Sequence, residues 1–494
     1  MRSEKVEPLG TITMCLPYVD KETHETLLSM MKEAENFADF TEKLNTLACT
    51  QSTTKLTEYF AFFFPFHIND YQLTDKLISA GKAPDLAAPL VLVCKYRRGD
   101  LVLWEDMLQA LIKALKAAPN DWVATHIYTK WRYYVEFHFP ESDTDVKPIQ
   151  RIEERVNEDK NLEYFKSYLL RFEAIKCMLN MSVREEIELI EQALTIARKY
   201  DEQVVIADLL SALSEAVPDE ERGIELLRAS TELSERLGYR YKIGHNRFRL
   251  GNKLGNRGEF NSAVENILEF TRVRESLDLP VITPNGYLAA WYNIMGDGVN
   301  ALKRTEAALE AIQESRRLTS YMLAQKAWAL VNLGRNDEAR VNLEISRELA
   351  VKSGVAWYWF VYNQLAEGIL YKAEGNFDGG IVAFEDVLQY PGVAAVPSLQ
   401  AICLINLTDI EIERASPDDV GDSSGQWMEK LEEFVETRKS PGFEARLLLL
   451  KARLCQKQGR IDEAQSILRR VRQIAEAPSL KYLNSLIAPM SVDS

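Results

Sequence analysis

Histidine is scarce in this chain of 494 residues: His24, His67, His126, His138 and His245 are all it has, and none follows position 245. No H-x-x-x-H or H-E-x-x-H spacing occurs among them, so no helical zinc site, and no metal, is expected. The six cysteines, Cys15, Cys49, Cys94, Cys177, Cys403 and Cys455, lie far apart without a C-x-x-C pair. That removes the zinc ribbon and the thioredoxin-like redox motif and leaves reduced core thiols. Long apolar runs are missing as well. Leu86–Cys94 and Phe60–Phe66 are the longest, well short of the roughly 18 residues that cross a bilayer. Arg2, Glu4, Lys5 and Glu7 stand where a secretory signal needs apolar residues. The expectation is a soluble, cytoplasmic protein with no membrane partner, in which the Asn-x-Ser/Thr triplets at Asn180 and Asn406 carry no glycan.

Positive charge is also short. With 59 basic against 74 acidic side chains the formal charge is −15, which argues against a general polyanion binder, so nucleic acid is not expected as a partner. No G-x-x-x-x-G-K-[ST] phosphate loop and no helix-turn-helix with a basic recognition helix can be read. Hydrophobic residues at 46% and charged residues at 27% are ordinary globular values, so long disorder is not expected.

What the sequence does have is helical spacing almost everywhere. Leu226, Leu227, Ser230, Leu233 and Leu237 form one stripe, and Ile461, Ala464, Ile467, Leu468 and Val471 another. Alternating strand patterns are nearly absent, and the breaks between helices are built on Gly, Asn, Asp and Pro. The breaks repeat. A Gly is followed five residues later by a small residue at Gly258/Ala263, Gly296/Ala301, Gly334/Ala339, Gly375/Gly380 and Gly459/Ala464, the second members lying 38, 38, 41 and 84 residues apart. The last interval is two periods, with Ser416–Gln426 as the expanded loop of an unmarked repeat. Seven residues before each Gly stands another small residue: Gly251, Ala289, Ala327, Gly368 and Ala452. Small residues at both positions let the two helices of a hairpin cross closely.

This grammar resembles the tetratricopeptide repeat, best matched by Leu250-Gly251-Asn252-Lys253-Leu254 with Gly258, Phe260, Ala263 and Ile267. The period of about 38–42 is longer than the usual 34 or so of that repeat and is similar to the long-repeat variety in the helical arms of bacterial activators of the maltose-regulator type. The resemblance implies an all-α fold, an α-solenoid of stacked antiparallel hairpins forming a superhelix. Residues 159–477 would be the solenoid, 1–158 an N-terminal helical region of degenerate repeats or a cap, and 478–494 a capping helix and tail.

Other motifs match only in letters. Gly296-Asp297-Gly298-Val299-Asn300-Ala301 follows a helix, not the strand a dinucleotide fingerprint needs. Gly421-Asp422-Ser423-Ser424-Gly425 has no later histidine to serve a nucleophile elbow. Glu141, Asp143 and Asp145 lack the Gly and closing Glu of a calcium loop. Arg240–Lys253 carries six basic residues, His245 included, around Tyr241 and Phe248; it reads as the polar side of a repeat helix in preference to a phosphate-contacting stripe. No enzyme and no cofactor are expected.

By the geometry of the resembling family, first helices line a concave wall whose contact residues here would be Phe248, Asn252, Asn293, Tyr321, Trp328, Tyr362, Lys372, Arg446 and Arg453, with His245 and Gln456 beside them. Phe248 stands where a carboxylate-clamping wall has Lys, so an extended apolar peptide or a helix suits the wall better than a C-terminal carboxylate. The expected function is a protein-interaction scaffold holding a partner segment in this groove; the alternative is a ligand- or peptide-sensing module acting on a separate regulator. For Tyr321, Trp328 and the run Trp357–Phe360, packing between repeats stays open as a competing role.

Overall fold

The computed structural model describes residues 10–82, 84–97, 102–135, 147–179, 182–312, 316–352, 357–390, 392–393, 396–415 and 425–490. Every regular element among them is helical. Contacts divide the chain into two compact units, Met1–Arg249 with Arg272–Pro280, and Leu250–Thr271 with Val281–Ser494. The chain therefore changes unit inside one helix, whereas the position 158 at which the repeat signature fades lies within the first unit.

In the first unit the helices are α1 (Gly10–Thr13), α2 (Lys21–Glu33), α3 (Phe37–Thr50), α4 (Lys55–His67), α5 (Tyr71–Ser79), α6 (Ala88–Arg97), α7 (Trp104–Ala117), α8 (Asp121–Val135), α9 (Lys147–Glu158), α10 (Lys166–Leu179), α11 (Val183–Lys199), α12 (Gln203–Ala216), α13 (Glu220–Leu237) and the first part of α14 (Arg240–Asn256). Asp20, Asn36 and Thr54 each accept a backbone N–H three residues on, which fixes where α2, α3 and α4 begin. From Tyr59 to Phe66 helix α4 is apolar on every side, so this stretch can only sit inside. Phe60, Phe62, Phe63, Phe64 and Phe66 are fully buried, and Phe64 meets Phe37 and Phe40 edge-on at 5.7 and 5.4 Å.

The second unit holds the end of α14, most of α15 (Phe260–Ser276), α16 (Ile282–Met295), α17 (Gly298–Ala311), α18 (Arg316–Asn332), α19 (Asn336–Lys352), α20 (Trp357–Ala373), α21 (Phe377–Gln389), α22 (Pro397–Arg414), α23 (Gln426–Arg438), α24 (Pro441–Lys457), α25 (Ile461–Ala475) and α26 (Leu483–Ile487). Consecutive helices pair into hairpins, α16 with α17, α18 with α19, α20 with α21 and α24 with α25, and the first helices of neighbouring hairpins also touch. Each marking glycine is a left-handed helix cap, with φ from +72° to +81° at Gly258, Gly296, Gly334, Gly375 and Gly459. At the crossings a Cβ on Gly251 would lie 2.9 Å from the Ala263 carbonyl, and one on Gly368 would lie 2.8 Å from the Phe384 ring. The repeat pattern is thus a register of caps and crossings.

The two layers of this unit differ. The described side chains of α16, α18, α20 and α22 are buried around nearly the whole helix, whereas α17, α19 and α21 expose Val299, Val341, Ile345 and Val382. First helices form the interior and second helices the outside. The expanded loop expected at Ser416–Gln426 and the acidic triplet Glu141, Asp143 and Asp145 fall outside the described residues, save Gly425 and Gln426 at the start of α23.

Candidate functional site

The anticipated wall residues of the second unit lie on its inner helices. Asn293, on α16, is 2% exposed and donates through Nδ2 to the Gln325 carbonyl (2.9 Å) and side chain (3.1 Å) on α18. Tyr321 donates to the Gly286 carbonyl (3.3 Å), and its ring meets Tyr362 edge-on at 5.0 Å. Trp328 and Tyr362 are 5% and 8% exposed. Asn293, Tyr321 and Tyr362 join one inner helix to the next. Trp357–Phe360 lie in the first turn of α20, and their side chains fall outside the described residues.

The basic end of the wall is neutralised within the unit. Lys372 pairs with Asp409 and donates to Asn406 (2.9 Å), and Arg453 pairs with both Asp409 and Glu413. Arg446 donates to the Ile294 carbonyl at 3.0 Å. Burial pushes the Tyr482 hydroxyl up to about 12, with Arg446 pulling the other way. Asn252 has a buried Oδ1 with no hydrogen-bond partner among the described residues, as do the Trp291 Nε1 and Thr408 Oγ1 atoms. Such groups cost about 1–3 kcal/mol each when left unmet.

In the first unit Phe248 is 8% exposed and stacks on His245 with ring centroids 5.9 Å apart. The basic stretch of α14 is turned to cross-links: Lys242 reaches Asp208 at 2.5 Å and Arg249 reaches Glu215 at 3.0 Å, both on α12. Two buried arrangements here carry no sequence motif. One is a chain of polar groups, in which Lys130 donates to the Tyr168 hydroxyl, Tyr168 and Tyr164 hydroxyls are 3.2 Å apart, Tyr164 donates to Glu202, and Glu202 lies 3.8 Å from His67 Nε2. Burial lowers the Lys130 ammonium to about 8 despite Glu202. The other is Glu186, 5% exposed on α11. Burial raises its carboxyl to about 7, opposed by Arg171 and Arg249 and reinforced by Glu215. A helical pattern cannot reveal either, because each assembles residues from separate helices.

A surface groove of about 540 Å³ lies among α9, α10 and α11, floored by Leu169, Leu170 and Ile196; none of the nine anticipated residues lines it. Among the described residues no group of three or more His, Cys, Asp and Glu could hold a metal ion, and no helix is long and apolar enough to cross a membrane.

No protein-family model matches the sequence, and no curated protein matches it. Solved structures similar to it include a Rap protein complexed with Competence and Sporulation Factor, 12% identical with a TM-score of 0.39, covering 80% of this chain and 97% of that one. The apo form of the quorum sensor NprR from B. thuringiensis is 13% identical with a TM-score of 0.37, covering 79% and 97%. A signal-transduction ATPase with a tetratricopeptide repeat sensor from Pyrococcus horikoshii is 12% identical with a TM-score of 0.36, covering 92% and 70%. On its own caps, crossings and stacked hairpins, this chain is a tetratricopeptide-like helical-repeat protein.

Proposed function

We propose that the protein is a non-enzymatic interaction scaffold that takes a peptide or helix of a protein partner on the first-helix wall of its second unit. Asn252, Asn293, Tyr321, Trp328, Tyr362, Lys372, Arg446 and Arg453 are the contact residues in this reading, and Phe248 belongs to the corresponding wall of the first unit. The observation that carries it is the set of unmet polar atoms on inner helices, Asn252 Oδ1, Trp291 Nε1 and Thr408 Oγ1. A peptide backbone offers both the donors and the acceptor these atoms need, beside aromatic side chains suited to anchoring. Affinity capture with the full chain, compared with Asn252→Ala and Arg446→Ala at matched thermal midpoints, tests it. Loss of a captured partner with the fold retained supports the reading, and undiminished capture by both variants overturns it.

The alternative is a sensing module that changes state on binding a peptide or small molecule and acts on a separate regulator. The burial of Tyr321, Trp328 and Tyr362 favours it, because a wall closed at rest has a second state to reach. A thermal-shift screen with peptides, nucleotides and sugars that gives no stabilisation would count against this alternative.

A further inference from the structure

The first and last hairpins of the second unit touch each other, although the chain does not run directly between them. Gly258, at the end of α14, lies against Gly442 in the first turn of α24, backbone to backbone. Around this point Ser398 donates to Asn256 at 2.8 Å, Ser440 donates to the Arg257 carbonyl, and Arg446 donates to the Ile294 carbonyl at 3.0 Å. The C-terminal segment is fastened across the same seam. The Tyr482 N–H donates to Asn261 at 2.9 Å, and the Phe260 ring packs edge-on against Tyr482 at 5.1 Å and Phe443 at 6.1 Å.

Gly258 is explained by its helix cap, with φ +76°, but Gly442 has no such need. Its place in the first turn of a helix suits most residues, yet a methyl group there would overlap the Gly258 carbonyl and come within 2.8 Å of its Cα. Two backbones in contact make a joint without interdigitated side chains. Beside that contact the two edges are tied by the Ser398, Ser440, Arg446 and Tyr482 hydrogen bonds and by the Phe260 ring on Phe443 and Tyr482, whereas at the hairpin crossings Ile267 and Phe384 pack directly against Gly251 and Gly368. Behind it stand α16 and α22, buried around nearly the whole helix, with unmet polar atoms on Trp291 and Thr408, and a third such atom lies on Asn252 of α14. Two of the three are next to the seam: Asn252 lies one turn from Gly255, which packs on the Trp291 ring, and that ring in turn stacks on Phe260 at 5.7 Å.

We infer that this seam is a gate: α14–α15 and α24 with the C-terminal segment part as two rigid edges, and the inner wall is reached through the opening. The inference rests on the reading of the wall as the partner site and names its regulation. Closure by Ser440, Tyr482 and the Gly258–Gly442 contact is an autoinhibitory state, and a partner peptide binds the open one. Local opening below the cost of global unfolding is the physical basis.

Amide hydrogen exchange of the full chain, read by mass spectrometry, tests it with Gly442→Ala as a one-methyl wedge. Exchange in 282–295, 441–457 and 478–487 should quicken together by about tenfold or more, with 21–33 and 104–117 unchanged. Gly368→Ala, which clashes with Phe384 inside one hairpin, should quicken exchange in 357–389 without that pattern. In the unaltered protein the slow amides of α16 and α24 should share one opening free energy and one denaturant dependence. Quickening confined to 440–444, no change in Gly442→Ala, or separate openings for α16 and α24 would each overturn the gate. If the edges open together and wall variants still capture the partner normally, the gate stands and the wall reading falls; independent edges with partner loss in wall variants give the reverse.

Discussion

Gly251 stands directly over the carbonyl of Ala263: a methyl group at position 251 would lie 2.9 Å from that oxygen and 2.9 Å from the Ile267 side chain. Gly251→Leu and Ala327→Leu should therefore destabilise the second unit by about 1–3 kcal/mol each through overpacking. Urea unfolding with unchanged slope checks this. Gly296 has the same status in the repeat but nothing within 4 Å of its Cβ. Gly296→Ala should cost only the left-handed backbone, about 1–2 kcal/mol.

Lys130 and Glu202 are both fully buried and are linked through Tyr168 and Tyr164. Glu202→Gln removes the counter-charge from a buried ammonium and should cost about 3–5 kcal/mol. Lys130→Met combined with Glu202→Gln should recover much of that loss. A double-mutant cycle by chemical denaturation measures the coupling, and additive losses would show that the two charges do not interact.

Glu186 gives the first unit a pH dependence of known sign. Its folded value of about 7 lies above the unfolded value of 4.5, because burial disfavours the charged form. The folded state then holds a proton that the unfolded chain has released between those two values. Its contribution is full below pH 4.5 and is lost as pH rises to about 7. Glu186→Gln should flatten this slope and raise stability at pH 7.5 by about 1–3 kcal/mol, read from thermal or urea unfolding at several pH values.

The caps and crossings were legible in the sequence because each depends on one residue type at a fixed offset, as with the five marking glycines and their partners Gly251 to Ala452. The all-helical fold followed from the same signal. The burial of the wall was legible only as a competing role for Tyr321 and Trp328. Family geometry places Tyr321, Trp328 and Tyr362 on an inner face, but whether that face meets solvent depends on how tightly the hairpins curl, and the close approach of Gly258 to Gly442 between the first and last hairpins is a contact distant in sequence. Position 442 carries no repeat mark, and its partner is 184 residues away (442 − 258).

A recurrent polar joint was also missed. Asn246 accepts from Ser211 (2.6 Å) and donates to Ser230 (2.9 Å), and Asn363 accepts from Ser346 (2.6 Å) and donates to Ser320 (3.3 Å). Each Asn stands five residues before a small crossing residue, Gly251 or Gly368, so the signal existed in two copies only. Asn363→Leu removes the amide bonds to Ser320 and Ser346, which keep their bonds to each other's carbonyls, and should cost about 1–3 kcal/mol for the two buried hydrogen bonds lost. Asn246→Leu should behave alike, and a neutral result in urea unfolding for both would discount the joint.

The most direct measurement is isothermal titration of the captured partner segment against the full chain and against Arg446→Ala and Asn252→Ala. Binding to the inner wall should give a negative heat-capacity change from apolar burial and a Kd raised about tenfold or more in each variant, with thermal midpoints held. An unchanged Kd in both variants would contradict a partner site on this wall.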